Sequence, residues 1–299
     1  MNKILICICT YNRNQSLINC LNSIKKLKDI NFFDIKILIV DNTVSNNSYD
    51  IIKKYKKKNK FRIYQENERK RGVVNARNKC LKVSKTIRPK YMAFIDDDCK
   101  VDKNWLINIF KLIKNVDADI VTGPQKYEQN KKRIKINYSS LFEKNYKEKI
   151  IKVKWAASNN VFFKYNILKN KKVMNFDKNL NKFGIGEDQL FFSIMNKIGY
   201  KIYWSKNIFV TEKIHPHRTN INWIKERSKR LGILGHYLDV KIHGKIIGFS
   251  INYLKSFYLF ILSLFSYINF FNLSRMLNFT NNFYRSYGKI IGPFYIKKI

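Results

Sequence analysis

Short, continuously apolar runs alternate with amphipathic stretches through the first half of the chain. ILICIC (4–9), IKILIV (35–40), YMAFI (91–95) and ADIV (118–121) are apolar at almost every position. That pattern predicts strands buried on both faces of a helix-covered parallel sheet. Between them, Leu17, Cys20, Leu21 and Ile24 recur at helical spacing. So do Val73, Ala76, Arg77, Cys80 and Leu81, and again Leu106, Ile109, Phe110 and Ile113. Strand–helix–strand alternation implies right-handed crossovers and an α/β fold, a Rossmann-like, mostly parallel central sheet with helices on both faces. Ligands of such sheets bind beyond the carboxyl ends of the strands. The polar residues at those ends are Thr10-Tyr11-Asn12, Asp41-Asn42 and Asp96-Asp97-Asp98.

The second half changes character twice. Residues 125–152 are Lys-rich and read as a helical or loop insertion without clear chemistry. Residues 221–240 read as an amphipathic helix. Residues 246–271 carry a single charge, Lys255, and are long enough to cross a bilayer, for which about 20 apolar residues suffice. Asn252, Lys255, Ser256 and Asn269 interrupt the run, and both flanks are basic: Lys241 and Lys245 before it, Arg275, Arg285 and Lys289 after it. Positive residues on both sides fit poorly with one end lying outside the cell. Amphipathic or re-entrant helices at a membrane interface are therefore expected; helices packed on the rest of the protein, or a single span, are the alternatives. The expected domains are 1–240 and a C-terminal helical, membrane-associated appendage, 241–299.

Of the 299 residues, 45% are hydrophobic, with only 4 Pro and 11 Gly, enough for a large core with short connections. Charge changes the picture more: 59 basic against 21 acidic residues give +38. The excess is spread along the chain, as a general bias toward Lys, Asn and Ile would make it. Attraction to an anionic membrane also fits. Nucleic acid fits less well, because no concentrated basic stripe or recognisable module is present. The cysteines at 7, 9, 20, 80 and 99 lack C-x-x-C or zinc-ligand spacing and read as free thiols of a reducing compartment. The first residues enter a strand directly and do not resemble a signal peptide. A cytoplasmic protein on the inner face of the membrane is the expectation.

The acidic residues carry the candidate chemistry. Three carboxylates after a buried strand repel one another unless a cation neutralises them. Mg2+ or Mn2+ would do so, binding through one or two carboxylates and substrate phosphate oxygens; a solvated turn capping the next helix is the plain alternative. Glu187-Asp188, in FGIGEDQLFF, is either dipole complementation in a first helical turn or a general base for a hydroxyl. Arg77 lies on an apolar helix face and suits a salt bridge with Asp41 or Asp96, or a phosphate. His215 and His217 are candidate metal ligands, which a polar loop explains equally well, with His215 preferred, and Arg218 is a candidate phosphate ligand. A nucleotidyltransferase would need a Gly-rich phosphate loop after the first strand, and TYNRNQS has no glycine. A basic nucleic-acid-binding protein without catalysis is the other alternative.

Taken together these segments resemble family 2 glycosyltransferases of the GT-A fold, across roughly residues 3–235. CICTYNRNQSLINCLNSI is similar to the family's first strand and helix, with Cys9 where a proline is usual. LIVDNTVSNNS, GVVNARN, FIDDDCKVDKNWL, WAASNNVFF and FGIGEDQLFFSIMNKIGYKIYW follow in the family's order. The resemblance implies inverting transfer from a nucleotide-diphosphate sugar, with a UDP-sugar favoured, to a glycan or lipid-linked acceptor. It implies donor contacts from Thr10, Tyr11, Asn12, Asp41, Arg77, Asp96 and Asp97. Asp96 and Asp98 would be the D-x-D pair, with Asp98 on the metal. Trp155, Asn159, Asn160 and Arg218 would lie on the acceptor and diphosphate side. Asp188 would be the base, with Glu187 beside it. No clear Q-x-x-R-W motif is present, so single addition is expected, in surface polysaccharide or lipid-linked glycan assembly.

Overall fold

The computed structural model describes residues 2–57, 61–128, 146–173, 175–213, 216–268 and 273–296. It divides into two compact units, Met1–Lys126 with Lys144–Glu212, and Tyr127–Glu143 with Lys213–Ile299.

The first unit begins β1 (Asn2–Thr10), α1 (Asn14–Lys25), β2 (Phe33–Asp41), α2 (Tyr49–Lys57), β3 (Arg62–Asn67), α3 (Val73–Ile87) and β4 (Tyr91–Ile95). It continues with β5 (Cys99–Val101), α4 (Trp105–Val116), β6 (Ile120–Thr122), β7 (Gln125–Glu128), β8 (Ile150–Val153), β9 (Asn160–Lys164), α5 (Glu187–Lys197), β10 (Ile202–Ser205) and β11 (Val210–Lys213). The main sheet has the order β3-β2-β1-β4-β9-β6-β10-β8. β3, β2, β1 and β4 are parallel neighbours, as are β6 and β10. β9 runs antiparallel between β4 and β6, and β8 runs antiparallel on the β10 edge. The chain moves outward from β1 through β2 to β3, then returns to β4 on the other side of β1. That reversal creates a switch point, where open α/β sheets form their ligand crevice.

Period-two alternation gives the sheet two buried faces. Ile4, Ile6, Ile8, Ile37, Ile39, Ala93 and Ile95 join buried side chains of α1, α2 and α4 in one core. Leu5, Cys7, Leu38, Val40, Met92 and Phe94 point the other way and are equally buried. On that side the rings of Phe94, Phe163 and Phe192 pack in sequence, 6.3 and 5.9 Å apart. This is the mostly parallel, helix-covered sheet that the apolar runs predict.

Two local readings change. The strand expected at 118–121 is Ile120–Thr122; Asp119, just before it, accepts bonds at its carboxylate from the Lys164 ammonium and the Lys201 amide, both at 3.0 Å. The stretch expected to be a helical or loop insertion at 125–152 begins and ends in the strands β7 and β8; its centre, 129–145, lies outside the described residues.

The second unit is built on three helices, α6 (Ile221–His243), α7 (Lys245–Tyr267) and α8 (Leu273–Ile296). Asn220 caps α6, accepting the Asn222 amide at 2.8 Å. Their mutual faces are small and polar. Gly232 and Gly288 face each other across α6 and α8, and a Cβ on either would overlap main-chain atoms of the other helix. Ser256 of α7 bonds Ser286 of α8. Asn252 donates to the Lys289 carbonyl at 3.0 Å, and Asp239 lies between the ammonium groups of Lys255 (2.5 Å) and Lys289 (3.1 Å). Asn252 and Ser256, two of the residues that interrupt the apolar tail, thus lie with Gly248 and Ser263 on the buried stripe of α7, Lys255 is exposed, and most of the helix's large apolar residues form the outside; Asn269 lies outside the described residues.

Candidate active site

β1 and β4 are adjacent and parallel, so their carboxyl ends open on the same edge. Thr10 ends β1 and donates its hydroxyl to Asp97 Oδ2 at 2.7 Å. Arg13, one residue before α1, donates Nη1 to Asp97 Oδ1 (3.2 Å) and Asp98 Oδ2 (2.7 Å). Burial pushes the Asp97 carboxyl up to about 6, against the Thr10 and Arg13 bonds that favour its ionised form. Asp97 is therefore enclosed by protein, whereas Asp96 and Asp98 are only partly covered.

Arg77 joins this edge to the start of α5. Its guanidinium is buried, donates Nη2 to Asp96 Oδ1 at 3.2 Å, and makes a close ion pair through Nη1 with Glu187 Oε1. Burial acts to lower its pKa, but Asp96 and Asp188 outweigh that and raise it. Burial also raises the Asp96 carboxyl; Arg77 resists, while Asp98 and Asp188 push the same way. Asp96, bonded to Arg77, is thus influenced both by Asp98, whose own carboxylate is held by Arg13, and by Asp188, distant in sequence. Asp188 is held firmly: Oδ2 accepts from Ser158 N (2.9 Å) and Ser158 Oγ (3.1 Å), and Oδ1 from Gln189 N (2.7 Å). Gly186, at φ 88°, makes the turn into α5 that places both carboxylates in the first helical turn.

The β1–β2 side is a scaffold of loops. Asp41 is buried, and both its oxygens bind the following loop: Oδ1 accepts from Thr43 N and Oγ1, and Oδ2 from Ser48 N and Oγ, all at 2.6–2.9 Å. Asn12, at φ 53°, accepts from Asn47 Nδ2 at 2.7 Å. Tyr11 is exposed, with the Arg71 guanidinium 5.2 Å from its ring centroid. Asn42 accepts the Gly72 amide at 2.8 Å and so fixes the entry to α3.

The remaining predicted residues are less alike. Asn160 is buried; its amide accepts from the Trp105 indole (2.8 Å) and donates to the Ile208 carbonyl (2.8 Å), a tie within the core. Asn159 is partly exposed and makes a close bond to Gln125, which in turn bonds closely to Glu212. Trp155 is half-buried. Arg218 belongs to the helical unit, in the short turn Pro216–Thr219. His215 lies outside the described residues.

Three participants were not among the predicted residues. Arg13 neutralises two of the three aspartates, and Ser158 holds Asp188. Glu212 is buried on β11, opposite Cys99 of β5, and its carboxylate, the Cys99 thiol and Asp98 have donor atoms within 4.8 Å of one another. Burial raises the Cys99 thiol well above its ordinary value; a hard cation takes oxygen ligands, and Asp98 and Glu212 are the oxygen donors of the three. A strand-period reading could have found Glu212, since in VTEK it falls on the same side as the buried Val210.

The solved structures that share this fold include two with bound nucleotide. The mannosyltransferase PcManGT from Pyrobaculum calidifontis, in complex with GDP-Man and Mn2+, superposes with a TM-score of 0.64 at 12% identity, over 97% of this chain and 87% of that one. S. aureus TarS 1–349, in complex with UDP, gives 0.56 at 17% identity, over 99% and 92%. Among sequences, the succinoglycan biosynthesis protein ExoM of Rhizobium meliloti is 25% identical over 244 residues, 79% of this chain and 75% of ExoM. The glycosyltransferase GlyG of Streptococcus pneumoniae is 28% identical over 114 residues, 38% of this chain and 36% of GlyG. Residues 5–191 match the model of Glycosyl transferase family 2, and the chain belongs to that family.

Proposed function

We propose that this family 2 glycosyltransferase moves a sugar from a nucleotide-diphosphate donor, a UDP-sugar in the first instance, to an acceptor hydroxyl with inversion. One observation carries the reading: the buried Arg77 guanidinium ties Asp96, at the end of β4, to Glu187, at the start of α5, and so brings the strand end that carries Asp98 beside the helix start that carries Asp188. The family's donor chemistry and the ligands of TarS and PcManGT support the donor class.

Asp188 suits a base. A carboxylate offers about four lone-pair sites; three are occupied by Ser158 and Gln189 donors, which fixes the group and leaves one site for the acceptor hydroxyl. As the hydroxyl oxygen bonds to the anomeric carbon, its proton passes to Asp188 and the bond to the diphosphate breaks on the opposite face. That single displacement inverts the carbon. Arg77 and Glu187 hold Asp188's turn against the sheet edge, Asp41 holds the loop that borders the nucleotide, and Tyr11 offers a flat ring at its rim.

The donor set fits a hard divalent cation. Asp98 and Glu212 bring carboxylate oxygens within 4.8 Å of each other, Asp96 has a partly open carboxylate at the same strand end, and Arg13 offsets only part of the negative charge. Mg2+ or Mn2+ held there would neutralise the departing diphosphate. In this reading residues 1–240 carry the chemistry, while residues 241–299 hold the enzyme on the inner face of the membrane, beside a lipid-linked or glycan acceptor of polysaccharide assembly, the process for which ExoM is named.

A nucleotide-release screen tests the reading. Purified protein is offered UDP-, GDP- and dTDP-sugars, with and without Mn2+, and a membrane lipid extract as acceptor. Acceptor-dependent release from one donor is expected, with Asp98→Asn requiring more Mn2+. Release that ignores both acceptor and metal in every arm contradicts the proposal.

A further inference from the structure

The interior of the helical unit concentrates positive charge. Asp239, a single carboxylate, already faces the ammonium groups of Lys255 and Lys289. One turn earlier on α8 is Arg285, whose Nε is buried and has no hydrogen-bond partner among the described residues. Across the seam, on α6, the Arg227 guanidinium lies 5.5 Å from the ring centroid of Trp223. Close backbone approach fixes the two arginines relative to each other. Ser228 donates to Asn281 Oδ1 at 3.0 Å, Gly232 packs on the Arg285 carbonyl, and Gly288 packs on the Lys229 carbonyl. Arg227 and Arg285 thus rise from neighbouring turns of one tight helix pair.

Burial pulls the Arg227 guanidinium down to about 10; Arg218, Arg285 and Arg230 push the same way, while the Tyr127 phenol opposes them. Burial also pulls Arg285 below its ordinary value. Guanidinium groups remain charged in proteins, and two on neighbouring turns of one close helix pair suit an anion with several acceptor oxygens, which a planar fork recognises. The same helix supplies a second half to the surface: Tyr287, Ile290 and Phe294 of α8 are exposed.

We infer that the α6–α8 seam at Arg227 and Arg285 is a phosphate site, with Arg218 and Arg230 as further cations, and that it takes a phosphate or diphosphate carried on an apolar chain. Its use as the seat of a lipid-linked acceptor rests on the transferase reading; the binding of phosphate does not.

Calorimetry of the full chain with inorganic pyrophosphate, in chelator and without donor, reads this site apart from metal or turnover. Saturable binding is expected, weakened about tenfold or more by Arg285→Gln or Arg227→Gln, the scale of one lost charge-assisted contact. Lys241→Gln, an exposed charge on the same helix, should leave it unchanged. A second arm compares neutral vesicles carrying a polyprenyl diphosphate with vesicles carrying equal charge as phosphatidylglycerol. Preference for the first, lost in Arg285→Gln, supports the lipid diphosphate; equal binding to both, still lost in that variant, supports the site with a phospholipid headgroup in it. Should Arg285→Gln melt early, Arg285→Lys keeps the cation, and a several-fold loss is expected from it. Wild-type affinity for pyrophosphate in a folded Arg285 variant, or an equal loss in Lys241→Gln, overturns the site.

Discussion

Asp188 is tied by two backbone amides and one hydroxyl, so its replacement by Asn tests chemistry with little change of shape. Asp188→Asn should bind the donor nearly as the wild type does, because the donor-side residues are untouched. Its transfer rate should fall about 10²–10⁴-fold, the usual contribution of a positioned acid or base. Calorimetry with the nucleotide and product formation with acceptor separate the two effects; transfer at close to the normal rate would falsify the assignment. His236 gives a different residue-level test. It is buried against Phe249, and burial, then the Lys289 charge, lowers its pKa from the ordinary 6.5. A base with a depressed folded pKa favours the neutral form, so its contribution is fully present above 6.5 and is lost as pH falls below that value. The melting temperature of the wild type should drop more steeply from pH 7 to pH 5 than that of His236→Gln. Parallel curves would remove His236 from the account.

Among the elements, the entry to α3 depends on one backbone position. Gly72 has φ 130°, and a Cβ there would overlap the Asn181 side chain, which also accepts the Val74 amide at 3.1 Å. Gly72→Ala should cost about 1–3 kcal/mol from the unfavourable backbone conformation alone. It should also loosen Arg77, one turn into the helix, so nucleotide affinity is expected to fall together with stability in denaturant titration. A variant as stable as wild type would show that the loop relaxes freely. Where elements were legible in the sequence, uniform burial made them so. β1, β2 and β4 are covered on both faces and read as unbroken apolar runs. β3, RIYQEN, is half-exposed at the sheet edge and gives no such run. The same logic divides the site. Carboxylates at strand ends stand out because an α/β sheet gathers those ends. Arg13 and Ser158 acquire their meaning only through distant pairing; Glu212 betrays its burial by strand period, but its role needs the Glu212–Cys99 register of β11 and β5.

For the molecule as a whole, the distribution of charge and apolar surface points to a lipid surface. After Asp239 the chain contains no acidic residue. α7 is the one described helix long and apolar enough to cross a membrane, yet only 22% of its most apolar stretch is buried. Among the described residues, fifteen of the twenty large hydrophobic side chains that are exposed lie between Ile246 and Tyr295, among them Leu254, Phe257 and Phe265. A patch of that kind on a soluble protein marks an interaction site. Small and polar residues inside with apolar residues outside is also how helices associate within lipid. Asn252 and Ser256 look like defects in a span only when the helix is read alone; beside α6 and α8 they belong to its packing face. Full-length protein should therefore float with vesicles containing phosphatidylglycerol, and the bound fraction should fall as salt screens the basic surface. Leu254→Glu with Phe257→Glu should abolish flotation at every salt concentration while leaving helix content and melting unchanged, because neither side chain is buried. If that double variant floats as the wild type does, basic charge alone holds the protein to the bilayer, and the outer face of α7 has no part in it.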